Sequence, residues 1–233
     1  MAKVNGLTAV ERPDTLARSA YLRLQEAIRD GVVRHGPLYS ENELAETLGM
    51  SRTPVREAVI ALTREGLLEV SAQRGFSVRA LSADEQAEVF DLRGLLETHV
   101  VRRLAEDTPE DAVADLRAVL ERQARVAETG TRSEFLVLDE EFHLLMPRLA
   151  ALPRTGETLG RLRGAMWLLG QEALTRPERD KAVLTEHHAI VDAIAAGDPG
   201  AAAAAVAHHL DTTRAAADAH GRGIACGYRR ENA

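Results

Sequence analysis

The run Ser51-Arg52-Thr53-Pro54-Val55-Arg56-Glu57-Ala58-Val59-Ile60-Ala61-Leu62-Thr63-Arg64-Glu65-Gly66 constrains this chain more than any other. Ser51 can cap a helix, and Pro54 stands in its first turn, where a missing N–H costs little. Arg52 and Arg56 are four residues apart and share a face. Val55, Val59, Ile60 and Leu62 are expected on the apolar side. Upstream, Ser40-Glu41-Asn42-Glu43 has the form of a capping box, and Leu44, Ala45 and Leu48 give the short helix after it an apolar side. Gly49 ends that helix. Two capped helices joined by a glycine turn make a helix-turn-helix. Beyond Gly66 the period changes to that of strands. Leu67–Val70 and Phe76–Arg79 read as a hairpin, or wing, with Ala72-Gln73-Arg74-Gly75 as its turn.

A helix that shows two guanidinium groups at its start and buries its other side suits the major groove of double-stranded DNA. Arginine can bond guanine O6 and N7 together, and Thr53 can reach a phosphate or a thymine methyl. Arg74 at the wing tip is placed to enter a minor groove, with Gly75 allowing close backbone approach.

The overall charge of −7 argues against a nucleic-acid partner until it is divided along the chain. Residues 1–80 hold 11 Lys/Arg against 10 Asp/Glu, and residues 81–233 hold 18 against 26. The basic surface is therefore local, and the acidic bulk belongs to another unit. Aromatics are only 3% of the chain, so its core must come from Leu, Val, Ile and Ala, which suits packed helices. Cys226 is the single cysteine, which excludes an internal disulfide framework. There is no signal-type apolar core at the start, and Ala201–Ala207 is too short to span a bilayer. A soluble cytoplasmic protein with no membrane partner is expected.

The fold class expected is mainly α: a winged helix-turn-helix with a small β-hairpin, then an all-α six-helix bundle. Residues 1–12 read as a loose arm, and a first helix over 15–30 turns Ala17, Ala20, Tyr21, Leu24 and Ile28 inward. The DNA-binding domain covers 13–80. Helices over 83–106, 109–128, 132–149, 155–174, 179–196 and 199–219 build a second domain, 83–220. They are separated by Pro109, Gly130, Pro153, Pro177 and the Gly197–Gly200 turn. Residues 221–233 read as a flexible tail.

Seven of the eight histidines lie in the acidic half. Asp139 and His143 are four apart on one helix face. His187 shares a face with Leu184, Ile190, Val191 and Ile194, with His188 a near competitor. His209 shares a face with Val206 and Thr213, whereas His208 is expected at the surface. One Asp and three His on three helices can converge on one divalent metal. Imidazole and carboxylate suit Zn²⁺, Ni²⁺, Mn²⁺ or Fe²⁺, with zinc the first expectation. The plainer alternative is that each histidine is a satisfied core or surface residue.

These residues resemble the GntR family of bacterial transcription regulators, in its FadR-like branch with an FCD effector domain. The resemblance is carried by Leu44-Ala45, Ser51 through Ala58, Glu65-Gly66-Leu67 and Arg74 through Val78 in the first half. In the second half it is carried by Leu92-Arg93-Gly94-Leu95-Leu96-Glu97, Asp139 through His143, Glu186 through Ile190, and His209-Leu210. It implies Asp139, His143, His187 and His209 as metal ligands, which selects His187 over His188. It implies Ser51, Arg52, Thr53, Arg56, Arg74 and Gly75 as DNA contacts. Two departures stand out. Asn42 occupies a position that is basic in many relatives, and Leu149–Pro153 stands where many have an Asn. A count of six helices resembles the shorter, VanR-like form of the domain.

The expected function is a homodimeric, non-enzymatic regulator that binds a palindromic operator and senses a small carboxylate at a metal-containing site. Arg93 is the candidate second contact for that acid, against the plainer alternative of a salt bridge with Glu97. The rival readings are a metal sensor, a metal-dependent hydrolytic enzyme fused to a DNA-binding domain, and an acyl-CoA sensor without metal. The Asp/His set disfavours the last.

Overall fold

The computed structural model describes residues 15–71, 74–174 and 178–227. The arm expected at residues 1–12, Ala72 and Gln73 of the expected turn, Pro177 and residues 228–233 lie outside them. Among the described residues, three helices come first: α1 (Leu16–Arg29), α2 (Glu41–Thr47) and α3 (Arg52–Arg64). The antiparallel hairpin β1 (Leu68–Ser71) and β2 (Gly75–Val78) follows. The bundle is α4 (Ala83–Glu106), α5 (Ala112–Thr129), α6 (Arg132–Leu149), α7 (Pro153–Arg161), α8 (Arg163–Ala173), α9 (Arg179–Ala195) and α10 (Pro199–Gly227).

Local chemistry accounts for most of these boundaries. The Ser40 hydroxyl accepts from the backbone N–H groups of Asn42 and Glu43. Ser82 and Thr131 close full capping boxes with Glu85 and Glu134. Ser51 sits at the N-cap of α3 without a side-chain cap bond, so its exposed hydroxyl remains available to a partner. Val55, Val59 and Leu62 are fully buried. Ile60, expected among them, is 40% exposed. It lies one turn beyond Arg56 on the outer face, where the spacing of four puts it with the arginines.

The hairpin has a third edge. Tyr39 exchanges both backbone hydrogen bonds with Phe76, at 2.7 and 2.9 Å, and their rings stack. Gly75 adopts φ +124°, and a Cβ there would lie 2.1 Å from the Tyr39 carbonyl oxygen. The close approach that requires glycine at this position is therefore to Tyr39.

The bundle departs from expectation in three places. The stretch expected as one helix over 155–174 breaks at Leu162 into α7 and α8, with Gly160 and Gly164 flanking the break. Glycines on both sides weaken helix continuity. The bundle thus has seven helical segments, and a count of six no longer supports the VanR-like form. α5 starts at Ala112, and α10 runs on to Gly227, into the segment expected to be a flexible tail.

Two apolar cores result. One joins Val100, Leu104, Leu120, Phe142, Ile190 and Val206 inside the bundle. The other joins Leu24, Ile28, Val55, Leu62, Leu67 and Phe76 in the N-terminal unit. Trp167 and Leu168 of α8 belong to the second core, although α8 is a helix of the bundle.

Gly75→Ala should destabilise the N-terminal unit by about 2–3 kcal/mol, through strain at positive φ and the clash with Tyr39. Thermal unfolding checks this. An unchanged melting temperature would mean that the hairpin does not depend on the Tyr39 edge.

Candidate metal centre and DNA-facing surface

α6 presents Asp139 and His143 one turn apart, α9 presents His187 and α10 presents His209. One ring nitrogen from each histidine lies within 4.8 Å of the others. His143 and His187 are fully buried and His209 nearly so. Asp139 Oδ1 lies 3.6 Å from His187 Nε2, and its Oδ2 lies 4.0 Å from His143 Nε2. All four residues singled out in the sequence thus come together. His188 and His208 are exposed.

The outward nitrogens show how the rings are set. His187 Nδ1 is 3.0 Å from Gln123 Oε1, and His209 Nδ1 is 2.8 Å from Glu186 Oε2. His143 Nδ1 is 2.9 Å from Glu97 Oε2, at an angle too bent for a good hydrogen bond. Each ring therefore turns Nδ1 to an orienting group, which leaves Nε2 for the centre. Phe142 stacks on the His187 ring at 4.3 Å and covers it.

Burial, then the charges of His209, His143 and Arg93, push the His187 imidazole well below its ordinary pKa. His187 is neutral at physiological pH. With its proton on Nδ1 toward Gln123, its Nε2 offers a lone pair. That atom is buried without a hydrogen-bond partner and faces the Asp139 carboxylate. Two acceptors facing each other repel unless a cation lies between them. Nitrogen and carboxylate donors around such a point suit a borderline divalent ion such as zinc. Burial also pulls His209 down, against the opposing pull of its Glu186 bond.

Two carboxylates are held ionised behind the rings. Burial opposes ionisation of Glu186, but bonds from His209 and Arg179 outweigh it and hold this carboxyl down to about 2. Arg179 grips Glu186 through two bonds of 2.6 and 2.9 Å and also donates to Thr212 and Thr213. Glu97 is likewise held well below the usual range. Burial works against it, and the Arg93 and His143 charges prevail.

Of the two roles weighed for Arg93, the internal salt bridge is present, and the residue also reaches the centre. Its Nε donates to Glu97 at 2.7 Å, so the internal salt bridge exists. Its Nη2 lies 3.3 Å from His143 Nε2, and the residue lines a cavity with Asp139, His209 and Thr213. Apart from Glu140, the other walls of the cavity are apolar, among them Phe135, Leu136, Leu159, Met166 and Trp167.

Gln123 and Arg179 escaped the sequence reading. The signal for Gln123 was a polar residue on the stripe of Leu116, Val119 and Leu120, which demands a buried partner. Arg179 stands at the head of the Val183, Ile190, Ile194 stripe and two turns before Glu186. Glu141, next to the candidate ligands, pairs at the surface with Arg122.

At the other end of the molecule Ser51, Arg52, Thr53, Arg56 and Arg74 are all exposed. Arg52 is 63% exposed and makes a loose 3.5 Å contact with Glu41. Arg56 has no ion pair among the described residues. Arg74 sits at the end of the hairpin, where its N–H bonds the Ser71 carbonyl.

Residues 16–78 match the model of bacterial regulatory proteins of the gntR family, and residues 88–212 match the FCD domain. The chain belongs to the GntR family and carries an FCD domain. It is 31% identical over 210 residues to an HTH-type transcriptional regulator in an unstable DNA locus of Streptomyces ambofaciens, covering 90% of this chain and 85% of that one. It is 35% identical over 186 residues to a probable D-xylose utilization operon transcriptional repressor of Paenarthrobacter nicotinovorans, covering 78% and 80%. The fold is shared with a putative GntR regulator from Rhodococcus sp. RHA1, with a TM-score of 0.72 at 24% identity over 85% and 95% of the two chains. The chain is thus a transcription regulator of the GntR/FCD type. DNA is the partner its N-terminal unit implies, and a small molecule is the partner its FCD domain implies. The names of its relatives point away from an enzyme. Among the described residues no helix is long and apolar enough to cross a membrane.

If Gln123 orients His187 as a ligand, Gln123→Leu should weaken zinc binding about 10–100-fold without unfolding the bundle. Competition with a chromogenic chelator reads this directly. Equal affinity in the variant would assign Gln123 to packing alone.

Proposed function

We propose that this chain is a homodimeric cytoplasmic regulator of the FadR-like branch, which binds a palindromic operator and responds to a small carboxylate at a metal-containing site. The observation that carries the reading is the convergence of buried acceptors. Three imidazoles share one point with the Asp139 carboxylate; His187 and His209 have the outer nitrogen bonded elsewhere, and that of His143 faces Glu97. Asp139, His143, His187 and His209 would hold one divalent ion, zinc first, with nickel, manganese or iron as alternatives. The ion would supply a positive charge for an acid. Four such ligands carry one formal negative charge, so a divalent centre keeps about +1 by simple charge addition. Arg93 adds a second cation on the cavity side and can bond a carboxylate with more than one N–H. The Arg93 cation beside this set favours an acid effector over the metal alone as signal.

On the DNA side, Arg52 and Arg56 read base edges from the start of α3, with Ser51 and Thr53 on the backbone and Arg74 and Gly75 at the wing. Arg52 exchanges its weak contact with Glu41 for a guanine edge. One recognition helix reads too few bases for useful specificity, so two copies on an inverted repeat complete the site.

Metal binding should stabilise the fold by mass action, because the ligands come from three helices. Chelation should lower the melting temperature of the full-length protein. The His143→Ala/His209→Ala double variant should lose both the metal and this response. Zinc-reconstituted protein with no metal by elemental analysis would end the metal reading.

Arg52→Ala and Arg56→Ala should each cost about 1–3 kcal/mol of operator affinity and relax sequence preference. Binding to operator and random duplex is compared by anisotropy. Equal losses on both would show phosphate contact instead of base reading.

A further inference from the structure

α8 faces two ways. On one side Met166, Trp167, Gly170 and Ala173 line the cavity beside Arg93, Asp139 and His209. On the other side Trp167 and Leu168 complete the core of the N-terminal unit. Three further contacts fasten α8 to that unit. The Gln171 side-chain amide donates to the carbonyls of Ile28 and Arg29 at the end of α1, at 2.7 and 2.8 Å. The Arg29 guanidinium lies over the Trp167 ring, 4.8 Å from its centroid. Gly164 approaches the end of α3 so closely that a Cβ would lie 2.2 Å from the Glu65 carbonyl oxygen. α3 is the helix that carries Arg52 and Arg56.

The cavity itself has a volume of about 30 Å³. That is room for about two waters, not for an organic acid. An occupant must therefore push its walls apart. The walls on α4, α6, α9 and α10 carry the residues of the polar centre: Arg93, Asp139, His143, Glu186, His187 and His209. They are tied to one another by the contacts above. Among its described side chains α8 adds no polar group to that centre: Leu169 and Ala173 pack in the bundle core, and Trp167, Leu168 and Gln171 fasten the helix to the other domain. It is the wall whose movement costs the centre least. It is also the apolar wall. An acid of purely polar body, such as a hydroxy acid or a tricarboxylate, would bury its hydroxyl or second carboxylate against Met166, Trp167 and Leu159 without partners.

We propose that the effector is an acid with a compact apolar body, aromatic or branched, and that its body displaces α8 and so alters the DNA-binding unit. The acid end lies toward Arg93 and the Asp/His set, and the body lies against Met166 and Trp167. This rests on the carboxylate reading above and goes beyond it in the class of acid and the route of the signal.

Trp167 is the only tryptophan of the chain, so its fluorescence reports on this joint directly. Full-length zinc-loaded protein is titrated with benzoate, 3-methylbutanoate, acetate, citrate and benzyl alcohol. Calorimetry and Trp167 emission are read together. Affinity is then measured for a duplex that the wild-type protein selects from a random pool. Benzoate or 3-methylbutanoate should bind at least tenfold more tightly than acetate or citrate, shift the emission and change duplex affinity severalfold. Gln171→Met should keep acid binding and zinc content while losing most of the change in duplex affinity. Acetate or citrate binding as tightly as the apolar-bodied acids would overturn the ligand class. An undiminished response of duplex affinity in Gln171→Met would overturn the α8 route. Benzyl alcohol binding where benzoate does not would sink the carboxylate reading itself, while an emission shift would still report an apolar site at α8. No binding by any of these probes would reject the proposal outright.

Discussion

The bundle depends on a knot of buried polar groups in an otherwise aliphatic interior. α4 gives it Arg93 and Glu97, α5 gives Gln123, α6 gives Asp139 and His143, α9 gives Arg179, Glu186 and His187, and α10 gives His209 and Thr213. Each buried charge costs several kcal/mol in desolvation, which only close pairing offsets. The paired bonds of Arg179 to Glu186 and the 2.7 Å bond of Arg93 to Glu97 supply that pairing. Aliphatic packing alone tolerates many exchanges and shifts of similar volume. A polar network tolerates few, because one slip strands a charge. The five helices are thus held in one relative register by the residues that also form the candidate site.

Much of this was legible in the chain because it is local. Capping serines, the glycine after α2, the arginine pair and the strand alternation all act within a few residues, and these boundaries fall close to where they were expected. The faces of the candidate ligands were legible too: a spacing of four fixes Asp139 with His143, an apolar stripe fixes His209, and the family resemblance chose His187 over His188. What could not be read depends on contacts between distant segments. Tyr39 joins the hairpin through its backbone, which leaves no pattern in side chains. The demand for glycine at position 75 is visible in the chain, but the carbonyl that imposes it is not. Gln123 and Arg179 matter only because other helices meet them. The division of α7 from α8 at Leu162 was hidden by two glycines that a longer apolar period absorbed.

The charge division has a structural counterpart. The near-neutral N-terminal unit exposes Arg52 and Arg56 at the start of α3 and Arg74 at the end of the hairpin. The excess of acid lies in the bundle, where several carboxylates are committed to internal pairs. A DNA duplex therefore meets local positive groups backed by a negative body. Such an arrangement weakens indiscriminate phosphate binding and leaves a larger share of affinity to base contacts. It suits a protein that must distinguish one operator from bulk DNA.

α6 packs against α1, and two further connections run from the bundle to the DNA-binding unit that are not equivalent. α4 begins directly after the wing, and Glu85 in its first turn pairs with Arg79 at the end of the hairpin. Further along, α4 is fixed to the polar knot through Arg93 and Glu97. A helix anchored at the centre transmits only as much motion as the centre itself allows. The described side chains of α8 have no place in the knot, and the helix touches both the cavity and the end of α3. On the proposed reading the two helices divide the work: α4 is the fixed reference, and α8 is the moving part. Metal and effector then divide it as well. The metal ties helices that α8 is not part of, so it sets stability with little bias between DNA-binding states. The acid lies against α8 and discriminates between those states, which is the thermodynamic requirement for any signal. The coupling is reciprocal: a duplex that favours one position of α8 must change the affinity for the acid by the same factor.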